Sequence, residues 1–121
     1  MISSKTHAIL DYLVGIILIA APWILGFAND STATVIPVLI GISTLLYSIL
    51  TNYEYSIARV IPYKIHLTID FIAGFLLMVS PWLFGFNDRI YLPHVIAGGF
   101  EMVAVLLSRK ATSTVHVPKQ I

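Results

Sequence analysis

The chain has 121 residues, 58% of them hydrophobic and only 11% charged, with a formal net charge of +1 and a mean hydropathy of +0.90. A typical soluble domain is about 45–50% apolar and about 25% charged, and thirteen charged side chains do not furnish a polar stripe for each of four helices. The composition therefore argues against a soluble enzyme, and the near-neutral charge against a nucleic-acid partner. It describes an integral membrane protein that meets the lipid bilayer. Cysteine is absent, which removes disulfides, thiolate metal sites and thiol redox chemistry.

Four apolar segments follow one another, from His7 to Phe27, Thr34 to Leu50, His66 to Phe86 and Leu92 to Ser108. Each approaches the ~20 residues that a helix needs to cross a ~30 Å hydrocarbon core. The first is no signal peptide, because a close copy of it recurs inside the chain. Residues 28–33 and 87–91 are short and polar with Asn-Asp pairs, so they read as turns closing helical hairpins. The middle connection, Thr51 to Ile65, is longer and carries Tyr53, Tyr55 and Tyr63, and the spacing of Ile57, Val60 and Ile61 ahead of Pro62 predicts a short helix lying at the membrane interface. The tail from Lys110 reads as loosely ordered. Lys5, Arg59, Lys64, Arg109, Lys110 and Lys119 fall on one side of this arrangement and only Arg89 on the other. The positive-inside rule then expects a multi-pass protein of the cell (inner) membrane with both termini cytoplasmic.

A tandem repeat organises the chain. At a shift of 59 residues, KTHAILDYLVGIILIAAPWILGF (5–27) aligns with KIHLTIDFIAGFLLMVSPWLFGF (64–86), with nine of 23 positions identical. The match continues into the second helix of each half, where Ile36-Pro37 aligns with Leu92-Pro93 at a shift of 56. Identities at 7, 11, 15, 18, 22 and 26 step by three and four, so they lie on one helix face. That face carries a His, an Asp, two Gly, a Leu and a Pro, the residue types that pack and hydrogen-bond helices within membranes. Trp23 and Phe27 fall off it, which fits a lipid-interface role. Both copies run in the same direction, giving a pseudo-twofold axis along the membrane normal rather than the inverted repeat of many transporters.

The expected fold is an all-α membrane protein, four transmembrane helices in two tandem parallel hairpins. It forms a single domain: repeat one at 5–51, an interfacial connection at 52–63, repeat two at 64–109 and a tail at 110–121. The triplet Ser80-Pro81-Trp82, with its degenerate upstream copy Ala21-Pro22-Trp23, each after a His-x-x-x-Asp-x-x-x-Gly lead-in, resembles the SPW-repeat family of small prokaryotic membrane proteins. The resemblance covers residues 5 to 109 and implies paired transmembrane helices in each repeat. It implies no catalytic residue. Ala21 in place of the first serine argues against indispensable chemistry at Ser80.

Ionisable side chains inside spanning segments are costly and are candidate functional groups by default. His7/Asp11 and His66/Asp70 are i, i+4 pairs on equivalent faces. Either all four meet across the pseudo-twofold axis, as a metal or proton-relay set, or each Asp serves its own His or a neighbouring helix. Their spacing matches no metal-ligand motif, so neither a metal nor any other cofactor is assigned. Glu101 lies mid-helix on one face with His94, level with Thr44, and the polar face of Thr44, Tyr47, Ser48 and Thr51 supplies its expected partners. Pro22 and Pro81 free the carbonyls of Leu18 and Leu77 and bend or end their helices, and Gly98-Gly99 reads as a close-packing point. No enzyme is expected, since Ser80 has no base at its depth. The leading expectation is a structural or accessory membrane protein, serving envelope stress or partner assembly, as a homo-oligomer or with a larger membrane partner. The alternative is proton- or cation-coupled permeation through Glu101 and the Asp11/Asp70 cluster.

Overall fold

The computed structural model describes residues 1–108. The expected loose tail, with Arg109, Lys110, His116 and Lys119, lies outside the described residues. Four helices follow in order: α1 (Ser4–Ile24), α2 (Ser31–Ile49), α3 (Tyr63–Leu83) and α4 (Leu92–Leu107). The first three are long and apolar enough to cross a membrane, while α4 is a shorter apolar helix. Its 16 residues rise about 24 Å.

α1 and α3 both begin and end three residues earlier than the apolar pattern predicts. At the start of α1, the Ser3 hydroxyl accepts the backbone N–H of Thr6, so the polar turn Ser4-Lys5-Thr6 is already helical. At the end, Gly26 (φ +79°) and Gly85 (φ +75°) reverse the chain in the left-handed region. Phe27 then donates its N–H to the Pro22 carbonyl and Phe86 to that of Pro81, each at 2.8 Å. This six-to-one bond defines a Schellman cap, so the Pro-Trp-x-x-Gly-Phe part of the repeat is a helix stop. The cap corrects the expectation for Phe27. Beyond the reversed glycine the helical face no longer applies, and Phe27 and Phe86 fold under the helix ends into an apolar cluster with Ala33. Trp23 and Trp82 stay on the outer surface, as expected.

The predicted interior face is otherwise the observed one as far as Pro22: His7, Asp11, Gly15, Leu18 and Pro22 of α1 are buried, as are their counterparts in α3, whereas Gly26 and Gly85, expected on the same face, lie past the helix ends and are exposed. The small residues set the helix crossings. A Cβ on Gly41 would stand 2.7 Å from the Gly15 carbonyl oxygen, and one on Gly74 would stand 3.0 Å from that of Gly98. α1 thus packs on α2, and α3 on α4, with backbones in contact. Gly99, by contrast, faces open space.

The middle connection is not helical. Its N–H groups turn back onto the end of α2 instead: Ile57 and Ala58 donate to the Ile49 carbonyl, and Val60 and Ile61 to that of Leu50. These bonds use two carbonyls that a helix end leaves without partners. They also separate the apolar residues that sequence spacing placed on one face, since Ile57 and Val60 are exposed while Ile61 is half-buried. Two short parallel bridges, Ile2 with Ser108 and Thr51 with Ile61, repeat the pseudo-symmetry and tie each odd helix's start to the even helix of the other repeat.

Candidate functional site

One helical turn inside the bundle, at the end that carries the start of α1 and the end of α4, the two lead-in motifs meet. The i, i+4 spacing puts each His above its Asp, and the crossing of α1 with α3 turns the pairs toward each other. His7 Nε2 lies 2.8 Å from Asp70 Oδ2 and 3.2 Å from Asp11 Oδ1, while His66 Nε2 lies 2.7 Å from Asp11 Oδ2 and 3.0 Å from Asp70 Oδ2. In each case the contact between repeats is the shorter. All four residues are within 1% of complete burial. Of the two arrangements the sequence left open, the structure adopts the closed four-membered box.

The outer ring nitrogens identify the tautomer. His7 Nδ1 is 2.7 Å from Ser108 Oγ, and that hydroxyl donates to the Ala104 carbonyl at 2.6 Å. His66 Nδ1 is 2.7 Å from Thr51 Oγ1, whose hydroxyl donates to the Tyr47 carbonyl at 2.6 Å. Each hydroxyl proton is committed to a main-chain oxygen, so each Nδ1–H must donate to the hydroxyl oxygen. Both Nε2 atoms consequently point into the box. Each of the four Nε2–carboxylate contacts needs a proton, and two protons, each shared by one nitrogen between two carboxylates, satisfy all four. Two carboxylates and two protonated imidazoles leave the box electrically neutral, which is how buried charge is tolerated.

Tyrosines complete the carboxylates. Tyr47 of α2 donates its hydroxyl to Asp70 Oδ1, and Tyr53 of the connection donates to Asp11 Oδ2 at 3.1 Å. Burial, and then the charge of Asp11, push the Tyr53 phenol up, so it remains a donor. The Tyr63 ring stacks on His66 and meets His7 edge-on, which holds both imidazoles in place.

Several expected partnerships fall elsewhere. Tyr47 and Thr51 serve the box rather than Glu101, and Thr44 is buried 3.5 Å from the Tyr47 hydroxyl. Glu101 is buried, with its Cβ packed toward Gly74, and it makes no side-chain hydrogen bond among the described residues. His94 is also separate from it. Its Nε2–H donates to the Ala33 carbonyl at 2.8 Å, the oxygen that Pro37 cannot serve because it has no N–H, and its ring packs on Phe27 and Phe86. Ser80 acts in the same way. Its hydroxyl donates at 2.7 Å to the Leu77 carbonyl, which Pro81 leaves free, so the serine of the triplet repairs the break made by the proline beside it. Ala21 lacks that hydroxyl.

Ser108, Tyr53 and the Asp30–Arg89 pair were not legible as site residues. Thr51 and Ser108 stand 57 residues apart, the same shift that relates Gly41 to Gly98 at the two helix crossings, rather than the 56 that aligns the prolines in the sequence, so they are equivalent positions. Asp30 and Arg89 stand at the main repeat shift of 59 and bond across the turns, Arg89 Nε donating to Asp30 Oδ2 at 2.5 Å.

No curated protein and no solved structure matches the chain. The sequence model of the SPW repeat domain matches residues 5–108, a span that includes both lead-ins, both Pro-Trp helix stops and every residue of the box. With that match and the duplicated geometry it covers, the chain belongs to the SPW repeat family of membrane proteins.

Proposed function

We propose that the chain is a small structural or accessory membrane protein, not an enzyme, whose box clamps its two hairpins together. The observation that carries this reading is that the intramembrane His and Asp side chains satisfy one another in a closed, buried ring instead of lining a polar passage. A cavity of about 540 Å³ supports it. This cavity is an apolar cleft between α1 and α4 lined by residues such as Leu10, Val14, Leu18, Ile96 and Phe100. The commitment of the Ser80 hydroxyl to a carbonyl supports the absence of nucleophilic chemistry. The basic residues favour the inner membrane with cytoplasmic termini. The extensive exposed apolar surface, including Leu13, Ile17, Ile72 and Leu106, favours lipid contact and assembly as a homo-oligomer or with a larger membrane partner. Such assembly, or a part in envelope stress, is the proposed role.

Glu101 supports a second reading, because a buried carboxyl without a hydrogen bond among the described residues suits a proton or cation site better than a packing contact. Ion leak from proteoliposomes at several pH values separates the two. The clamp reading expects wild type and Glu101→Gln to leak no more than protein-free liposomes. A pH-dependent leak that Glu101→Gln abolishes would replace it with permeation.

A further inference from the structure

We infer that the box is a tetrahedral binding site for a divalent transition metal of the Zn²⁺ class, with His7 Nε2, His66 Nε2 and one oxygen each of Asp11 and Asp70 as ligands. Four observations carry this beyond the clamp. First, one ligand atom from each of the four residues can be chosen so that all lie within 4.8 Å of one another. The ligands of a tetrahedral Zn²⁺ with bonds of about 2.0–2.2 Å stand about 3.4 Å apart. Three contacts of 2.7–3.0 Å already join His7 Nε2, His66 Nε2, Asp11 Oδ2 and Asp70 Oδ2 and need to open by roughly 0.4–0.7 Å to reach that spacing, while the pairs across the ring draw in. The two tandem motifs thus supply two nitrogens and two oxygens, a set suited to Zn²⁺ and too poor in oxygen for Ca²⁺ or Mg²⁺.

Second, the imidazoles are already oriented as ligands. Each Nδ1–H is held by a hydroxyl that is itself fixed on a backbone carbonyl, so each Nε2 directs its coordinating lone pair inward once its proton leaves. A hydrogen bond from the second ring nitrogen is the usual companion of a metal-bound histidine. Third, charge balances. The two carboxylates need two positive charges, which two protons or one divalent cation provide. Metal entry releases the two ring protons and leaves the box neutral, with no co-reactant.

Fourth, the surroundings fit. Tyr47 from α2 and Tyr53 from the connection donate to the carboxylates, Tyr63 of α3 packs on both imidazoles, and Glu101 of α4 lies within electrostatic reach of all four ligands. Since each repeat gives one His and one Asp, a bound ion ties the two hairpins through coordination bonds.

The test uses the full chain, purified in detergent through a tag without histidine from cells grown with added Zn²⁺, so that the ion is present as the protein folds. Elemental analysis is expected to find one Zn²⁺ per chain, falling at least tenfold in Asp11→Asn and in His66→Gln. Ser108→Ala keeps all four ligands and removes only the His7 support. It is expected to weaken Zn²⁺ retention against a competing chelator by about 10–100-fold, so the inference remains testable if a ligand variant fails to fold. Cells grown with Co²⁺ are expected to yield protein with the strong visible absorption of a tetrahedral site. Protein without zinc, or equal zinc in wild type, folded ligand variants and Ser108→Ala, would overturn the inference.

Discussion

At the end of the bundle that holds the start of α1, each copy of the lead-in motif meets the other: His7 faces Asp70 at 2.8 Å and His66 faces Asp11 at 2.7 Å. At the turn end, the same pseudo-symmetry brings together residues that differ. Asp30 meets Arg89 at its equivalent position, and His94, which stands where repeat one has Pro37 at the 57-residue shift relating Gly41 to Gly98, serves the Ala33 carbonyl alone. A motif containing both halves of an interaction closes a twofold contact with two identical copies, whereas a motif containing one half needs the copies to diverge. The box end therefore constrains both repeats at once, and the turn end leaves each repeat its own solution.

The largest expected effect breaks the box. Asp70→Ala removes one of the two carboxylates that each imidazole contacts and the acceptor of Tyr47, leaving buried polar groups without compensation, and is expected to cost about 3–5 kcal/mol in detergent unfolding. A loss below about 1 kcal/mol would mean that the box contributes little to holding the repeats together. The turn end is expected to be less sensitive. His94→Ala strands the Ala33 carbonyl and should cost about 1–3 kcal/mol in the same assay. A loss as large as that of Asp70→Ala would reverse the ranking of the two ends.

Smaller still is the repair at the proline. Ser80→Ala is expected to cost about 0.5–1.5 kcal/mol, while Ala21→Ser, which offers the Leu18 carbonyl the missing donor, should be neutral or stabilising. A matching loss from both would show that the hydroxyl matters for something other than the freed carbonyl.

The least costly change is at the surface. The Arg89 guanidinium, and then the Ala33 N–H, hold the Asp30 carboxyl below the usual carboxylate range. A lowered folded-state value means that the pair's contribution is present above the ordinary value of 3.8 and is lost as pH falls through the lowered one. Arg89→Ala should therefore lower the unfolding midpoint slightly at neutral pH, by the little that a surface pair contributes, and converge on wild type as pH falls well below about 4, which flattens the acid limb.

The helix faces were legible because the 3.6-residue period survives wherever the chain is helical, and the His/Asp pairs were legible because they are local and duplicated. Periodicity failed where helices stop. Gly26 reverses the chain, so a wheel extended to Phe27 assigned a core residue to the lipid interface. It failed again over 57–61, where an apolar spacing that suits a helix belongs to a segment bonded back to the Ile49 and Leu50 carbonyls. Partnerships set by the meeting of distant helices had no local signal. Tyr47 was assigned to Glu101, and Thr51 and Ser108 were known only as polar positions until the crossing of the repeats put them behind His66 and His7.

The central claim is that the box couples the two repeats, and a double-mutant cycle of His7→Ala and Asp70→Ala tests it most directly, because these residues lie on different hairpins. Unfolding free energies of wild type, both single variants and the double variant are predicted to give a coupling of about 2 kcal/mol, with the second substitution costing far less once the first is made. Single-variant losses that add to within about 0.5 kcal/mol would contradict the account.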